Sequence, residues 1–355
     1  MFGVLVAYCA WSLGTLPEEA WSPLDRALAE AIRFGVDGKA YTLLAFLFGL
    51  GFHLQLSRSP AGDANAARLY RRRLLVLAAV GFVHAVLLRN GDILLPYAVA
   101  GLLMVPLRRL RDGVVLAIAL LLLLWPVAAQ WLWQATGAPL PQRPQTEGMA
   151  LLPSNIAWLS YWYATAPIYW PLNLGLMLLG LYAGRRGLIE RVARSRATAL
   201  RLVAAGLAGA VALSIASRSL DETSMSPFVR QEAGRLNFTL HAWSLAAAYA
   251  AALLLVLRTH AGARLLQPLA AVGRMALTNY LLQAMLIVPL CIAFDLFDRF
   301  TPSGAIALAV AVFALQVPFS LFWLRRFAFG PAEWLWRLAT YGNAPTPRAA
   351  AEAPL

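Results

Sequence analysis

The chain has 355 residues, of which 60% are hydrophobic and only 13% charged, with mean hydropathy +0.64. Soluble proteins average about 25% charged residues, so this composition excludes a soluble helical protein. The +13 net charge does not indicate a nucleic-acid partner either, because the arginines fall in short clusters between apolar runs, as in cytoplasmic loops.

Apolar runs predict an all-α, polytopic transmembrane bundle of ten spans. They lie at roughly 1–14, 40–57, 74–88, 93–107, 113–134, 167–184, 199–217, 238–257, 276–294 and 304–324, each read against the roughly 20 apolar residues needed to cross ~30 Å of hydrocarbon. The first run is too short to cross as a straight helix, which points to a truncated first span. "WSPLDRALAEAIRF" (21–34) carries Ser22 as an N-cap, Pro23 at the first helical position and Asp25 three residues after the cap. It is expected to form a short helix on the membrane surface. "GLGF" (49–52) and the pair Gly180 and Gly184 predict close helix approach. "WLSYWYATAPIYWP" (158–171) has the Trp and Tyr density of an interfacial belt. Residues 1–342 read as one transmembrane domain, and 343–355 as a disordered tail.

The connecting segments sort by charge. Those at 58–73, 108–112, 185–196, 258–274 and the C-terminal tail carry 20 basic and 5 acidic residues; those at 15–39, 89–92, 135–166, 218–237 and 295–303 carry 9 and 12. The two sets alternate along the chain. The positive-inside rule then puts the first set, and both termini, in the cytoplasm.

Within this frame a few polar residues need a reason. In "LLRNGDILLPYA" (87–98) Arg89 and Asp92 flank an Asn90-Gly91 turn at the expected outer surface. His84 lies roughly 7–8 Å deeper, at about 1.5 Å per residue. A polar side chain at such a depth faces a bundle interior or a wet cavity. Lys39, the only lysine, enters the same layer beside Asp37. Lys39, His84, Arg89 and Asp92 are expected to share an outward-facing polar pocket, with Lys39 and Asp92 paired. Histidine suits proton transfer near neutral pH. On the inner side Arg71, Arg72 and Arg73 precede the third span. Such a triplet suits anionic lipid, or the phosphates of a donor such as coenzyme A. Asn279 and Gln283 lie one turn apart in the ninth span, and Gln316 is in the middle of the tenth. Cys9 and Cys291 fall in apolar runs and suggest neither a disulfide framework nor a metal site. The sequence holds no GxxxxGK[ST], HExxH, GxSxG or paired CxxC motif.

Four stretches together carry a resemblance. They are "DGKAYTLLAFLFGLGF" (37–52), "RRRLLVLAAVGFVHAVLLRNGDILLPYAVAG" (71–101), "GRMALTNYLLQ" (273–283) and "FGPAEWLWRLATYG" (329–342). The set resembles the YeiB-like family of bacterial inner-membrane proteins, which carry the domain of unknown function 418. Members usually open with an Asp-x-x-Arg-Gly motif, absent here. The family is similar in pattern to transmembrane acyltransferases. That likeness implies acyl transfer from a cytoplasmic acyl-coenzyme A, as co-substrate, to a small-molecule or glycan acceptor outside.

On this reading His84 is the general base and Asp92 orients it. Lys39, Arg89, Asp37, Asn279 and Gln283 bind the acceptor, and Arg71–Arg73 hold the donor's phosphates. No metal or bound cofactor is expected, and the partners are membrane lipids rather than nucleic acid. The alternative is a transporter or exporter of a small or anionic substrate that uses the same buried polar residues.

Overall fold

The computed structural model describes residues 1–13, 16–57, 62–88, 91–139, 141–146, 149–221 and 225–342. Among them the chain is all-helical. In order the helices are α1 (Phe2–Ala7, continued as a π turn over Tyr8–Ser12), α2 (Pro23–Gly35), α3 (Lys39–Ser57), α4 (Gly62–Leu87), α5 (Leu94–Leu107), α6 (Asp112–Thr136) and α7 (Leu151–Arg185). They continue with α8 (Leu188–Arg194), α9 (Arg196–Asp221), α10 (Pro227–Leu257), α11 (His260–Arg274), α12 (Ala276–Ala293), α13 (Pro302–Leu324) and α14 (Pro331–Tyr341). Seven helical segments are long and apolar enough to cross a membrane: 23–57, which joins α2 and α3, then α6, α7, α9, α10, α12 and α13. This is a multi-pass membrane protein. Of the other three expected spans, α1 is short, α5 has only 14 residues, and α4 begins with a polar, arginine-rich third.

The contacts divide the chain into two compact units, residues 1–40 with 259–355, and residues 41–258. In the first, α1, α2, α12 and α13 enclose a core of Leu5, Cys9, Leu13, Ile32, Ile287, Cys291, Ala305 and Ala309. The N-terminus of α2 folds as its sequence predicts. The Ser22 hydroxyl accepts from the Asp25 amide and the Asp25 carboxylate accepts from the Ser22 amide, with Pro23 at the first position. The other Asp25 oxygen accepts from the Ser303 amide at 3.0 Å, tying α2 to the start of α13. At the start of α12 a carboxylate does similar work. Glu333 of α14 accepts from the amides of Leu277 and Thr278 and from the Thr278 hydroxyl, satisfying donors that a helix N-terminus leaves open.

The second unit is built on α4 to α10 with α3 from Tyr41. Its core runs through Phe52, Tyr70, Leu74, Tyr97, Met104, Leu123, Met177 and Leu181. Of the glycines read as packing residues, Gly49, Gly180 and Gly184 have that role, whereas a Cβ on Gly51 would meet nothing within 4 Å. A Cβ on Gly49 would strike the Met177 backbone, and one on Gly180 would strike the Phe46 carbonyl, so α3 and α7 cross with their backbones in contact.

Several segments read as connections are helical. α7 extends back to Leu151 and crosses Pro167 and Pro171. α10 starts at Pro227, so the segment to residue 237 is its opening turns. α11 fills most of 258–274, with Leu265 and Leu269 exposed and Ala271 and Val272 buried. A search for apolar runs passes over helices whose polar and apolar residues are mixed. The tail at 343–355 lies outside the described residues.

Candidate functional site

In the second unit α4 ends at Leu87 and α5 begins at Leu94. Asp92, in the turn between them, faces back along α4. Its Oδ1 lies 3.2 Å from His84 Nδ1, and the two side chains are 2% and 3% exposed. Its Oδ2 accepts from the Leu95 amide at 2.8 Å, satisfying a donor of α5's first turn. One carboxylate thus holds the imidazole and secures the helix start.

The fit depends on Gly81. A Cβ there would stand 2.7 Å from both Asp92 Oδ2 and the Leu95 nitrogen. Around the pair, Tyr97 donates its hydroxyl to the Tyr41 carbonyl at 2.9 Å. Asn155 of α7 donates to the Val86 carbonyl at 3.0 Å. That asparagine is fully buried, and its Oδ1 has no hydrogen-bond partner. The result is a buried carboxylate–imidazole pair. A carboxylate on one ring nitrogen fixes the tautomer and orients the ring.

Arg89 and Asn90 lie outside the described residues. Arg71 and Arg72 are exposed on α4, while Arg73 Nη1 donates to Gln55 Oε1 at 2.7 Å. Lys39 and Asp37 belong to the first unit. Lys39 is 1% exposed, and its ammonium donates to the Arg33 carbonyl at 2.7 Å, next to the Asp37 charge. A cation on the last turn of α2 suits the negative end of that helix. Asn279 and Gln283, also in the first unit, are buried one turn apart on α12. Asn279 Nδ2 reaches Ser320 at 3.0 Å, and Gln316 Nε2 reaches the Asn279 carbonyl at 2.8 Å. Neither polar atom of Gln283 has a partner, nor do Asn279 Oδ1 and Gln316 Oε1.

Sequence reasoning passed over Asn155 and a cluster of Gln130, Tyr169, Glu232 and Arg235. Asn155, Glu232 and Arg235 fell in segments taken for loops, where polar residues attract no notice. The available signal was the Glu232–Arg235 spacing, three apart ahead of an apolar run. Among the described residues no group of three His, Cys, Asp or Glu side chains could hold a metal ion.

Residues 183–343 match the family model described as "Protein of unknown function (DUF418)". The chain is 32% identical over 340 residues to an "Uncharacterized 39.9 kDa protein in amylase 3'region" of Bacillus acidopullulyticus, covering 93% of this chain and 87% of that one. It is 30% identical over 354 residues to "Uncharacterized protein YeiB" of Escherichia coli (strain K12), covering 93% and 87%. The chain belongs to the YeiB-like DUF418 family. A further family relative, "Uncharacterized protein YxaH" of Bacillus subtilis (strain 168), is 28% identical over 357 residues, covering 91% and 84%. No solved structure matches this DUF418 chain.

Proposed function

We propose that this protein is a ten-span inner-membrane acyltransferase with both termini in the cytoplasm. It would move an acyl group from cytoplasmic acyl-coenzyme A to an acceptor at the outer face. The observation that carries this reading is the buried His84–Asp92 pair. In the proposed reaction the imidazole Nε2 takes the proton of an acceptor hydroxyl or amine as that group attacks the thioester carbonyl. The carbon–sulfur bond then breaks, and the coenzyme A thiolate leaves with the proton. Asp92 stabilises the imidazolium formed on the way. Lys39, Asp37, Arg89, Asn279 and Gln283 are assigned to the acceptor. Arg71–Arg73 are assigned to the donor's phosphates, as bidentate arginine–phosphate contacts would allow.

One observation favours transport instead. Buried amides of Gln283, Asn279 and Gln316 with unsatisfied polar atoms suit a polar path within a span. The experiment is turnover of acyl-coenzyme A by the purified chain with candidate acceptors, in parallel with substrate flux into proteoliposomes. Coenzyme A release that depends on acceptor and on His84 supports the transferase. Flux with no chemistry overturns it in favour of the transporter.

A further inference from the structure

The second unit carries another charged cluster, on α6, α7 and α10. Gln130 Nε2 donates to the Tyr169 hydroxyl at 3.0 Å, and Arg235 Nη1 donates to the same oxygen. Arg235 Nε also lies 3.3 Å from Glu232 Oε1. Glu232 is 3% exposed, yet its Oε2 has no hydrogen-bond partner. A buried carboxylate oxygen left unsatisfied is costly, so the site calls for a donor. The Arg235 side chain, 34% exposed, still has the two N–H groups of Nη2 to offer.

Next to the cluster a cleft of about 410 Å³ opens between α6 and α7, lined by Trp125, Ala129, Leu132, Trp133, Pro167 and Ile168. Its wall is apolar, and the Trp125 indole is already committed to the Pro167 carbonyl at 2.7 Å. Ala129 and Ile168 directly precede Gln130 and Tyr169, whose hydrogen bond joins the two helices beside the cleft. All three helices are long and apolar enough to cross a membrane, so acyl chains surround them.

We propose that cleft and cluster together hold one phospholipid with a phosphoethanolamine headgroup. An acyl chain lies against Trp125, Leu132 and Trp133, the phosphate meets Arg235, and the ammonium donates to Glu232 Oε2. The charge order of the site, an accessible cation beside a buried anion, matches that zwitterion. A trimethylammonium headgroup brings no N–H donor, and a glycerol headgroup offers the carboxylate only neutral hydroxyls, without the charge assistance of an ammonium. The site shares no residue with the His84 pair and does not depend on the acyl-transfer reading.

The test is native mass spectrometry of the full chain in detergent with equal amounts of dioleoyl phosphatidylethanolamine, phosphatidylcholine and phosphatidylglycerol. One phosphatidylethanolamine should be retained, preferred about tenfold, as a charge-assisted hydrogen bond allows. Glu232→Gln should erase the preference. Leu132→Trp, which narrows the cleft, should weaken all three lipids and keep the order. Equal retention of the three by the wild type, or an unchanged preference in Glu232→Gln, overturns the proposal. A measurement that needs no variant guards against misfolding: phosphatidylethanolamine with a photoreactive acyl chain should crosslink within 125–138, and crosslinks elsewhere alone also overturn it.

Discussion

At the residue scale, Asp92 has two separable duties. Its Oδ2 serves the Leu95 amide and its Oδ1 serves His84. Asparagine can still cap a helix, whereas alanine cannot. Asp92→Ala should therefore be less stable than Asp92→Asn by about 1 kcal/mol, read as thermal unfolding in detergent. Both should lose turnover. If His84 is the base, His84→Gln should lower turnover by about 10²–10⁴-fold while the protein remains folded, with single-turnover coenzyme A release as the readout. Gly81→Ala places a methyl against Asp92 Oδ2 and the Leu95 nitrogen. It should cost about 1–3 kcal/mol as overpacking and reduce activity without touching either side chain of the pair. A Gly81→Ala protein of wild-type stability would show that α4 and α5 can separate at that point.

At the scale of elements, Glu333 links α14 to the open amides of α12. Glu333→Ala should lower stability by about 1–2 kcal/mol, in the range of a lost helix cap at a positive helix end. Hydrogen exchange should rise first at Leu277 and Thr278; exchange unchanged there would contradict the capping role. The Gly-Pro-x-Glu-Trp stretch was legible as a family mark, but the carboxylate's partner lies 55 residues away from it in sequence and no local pattern points to it. The capping box at Ser22, by contrast, is local and was readable in full. The same division runs through the site. His84 and Asp92 were visible because charge is conspicuous in an apolar run. Asn155 was not, because its value comes from α7 laying it against Val86. Lys39 was visible as a charge, but its bond to the Arg33 carbonyl follows from how α2 ends.

For the molecule as a whole, apolar runs give a count of crossings and charge gives their direction. Seven segments meet the length and hydropathy needed. The remaining three, α1, α4 and α5, are where ten-span topology is tested most sharply. Single cysteines for an impermeant thiol reagent on intact cells, in a background with Cys9 and Cys291 replaced, should stay unlabelled at Ser195. At Ser154 they should be labelled. Labelling of Ser195 from outside would reverse the positive-inside assignment. Composition alone could reveal the alternation, since arginine clusters survive any error in span boundaries. It could not reveal the starts of α7 and α10, because mixed polar and apolar residues there break the apolar run that marks a span.

The first unit draws its core from both ends of the sequence: Leu5, Cys9 and Ile32 pack with Ile287, Cys291 and Ala305. During synthesis the early helices therefore lack these partners while more than two hundred residues of the second unit (41–258) are made. Throughout that interval Asp25 lacks Ser303, its partner from α13. Residues 1–40 are thus the segment most exposed to quality-control proteases in a stalled or truncated chain. The His84–Asp92 pair, closed within one helical hairpin, can enter the membrane already matched. A nonsense mutation late in the gene should therefore cost the N-terminal segment its stability as well.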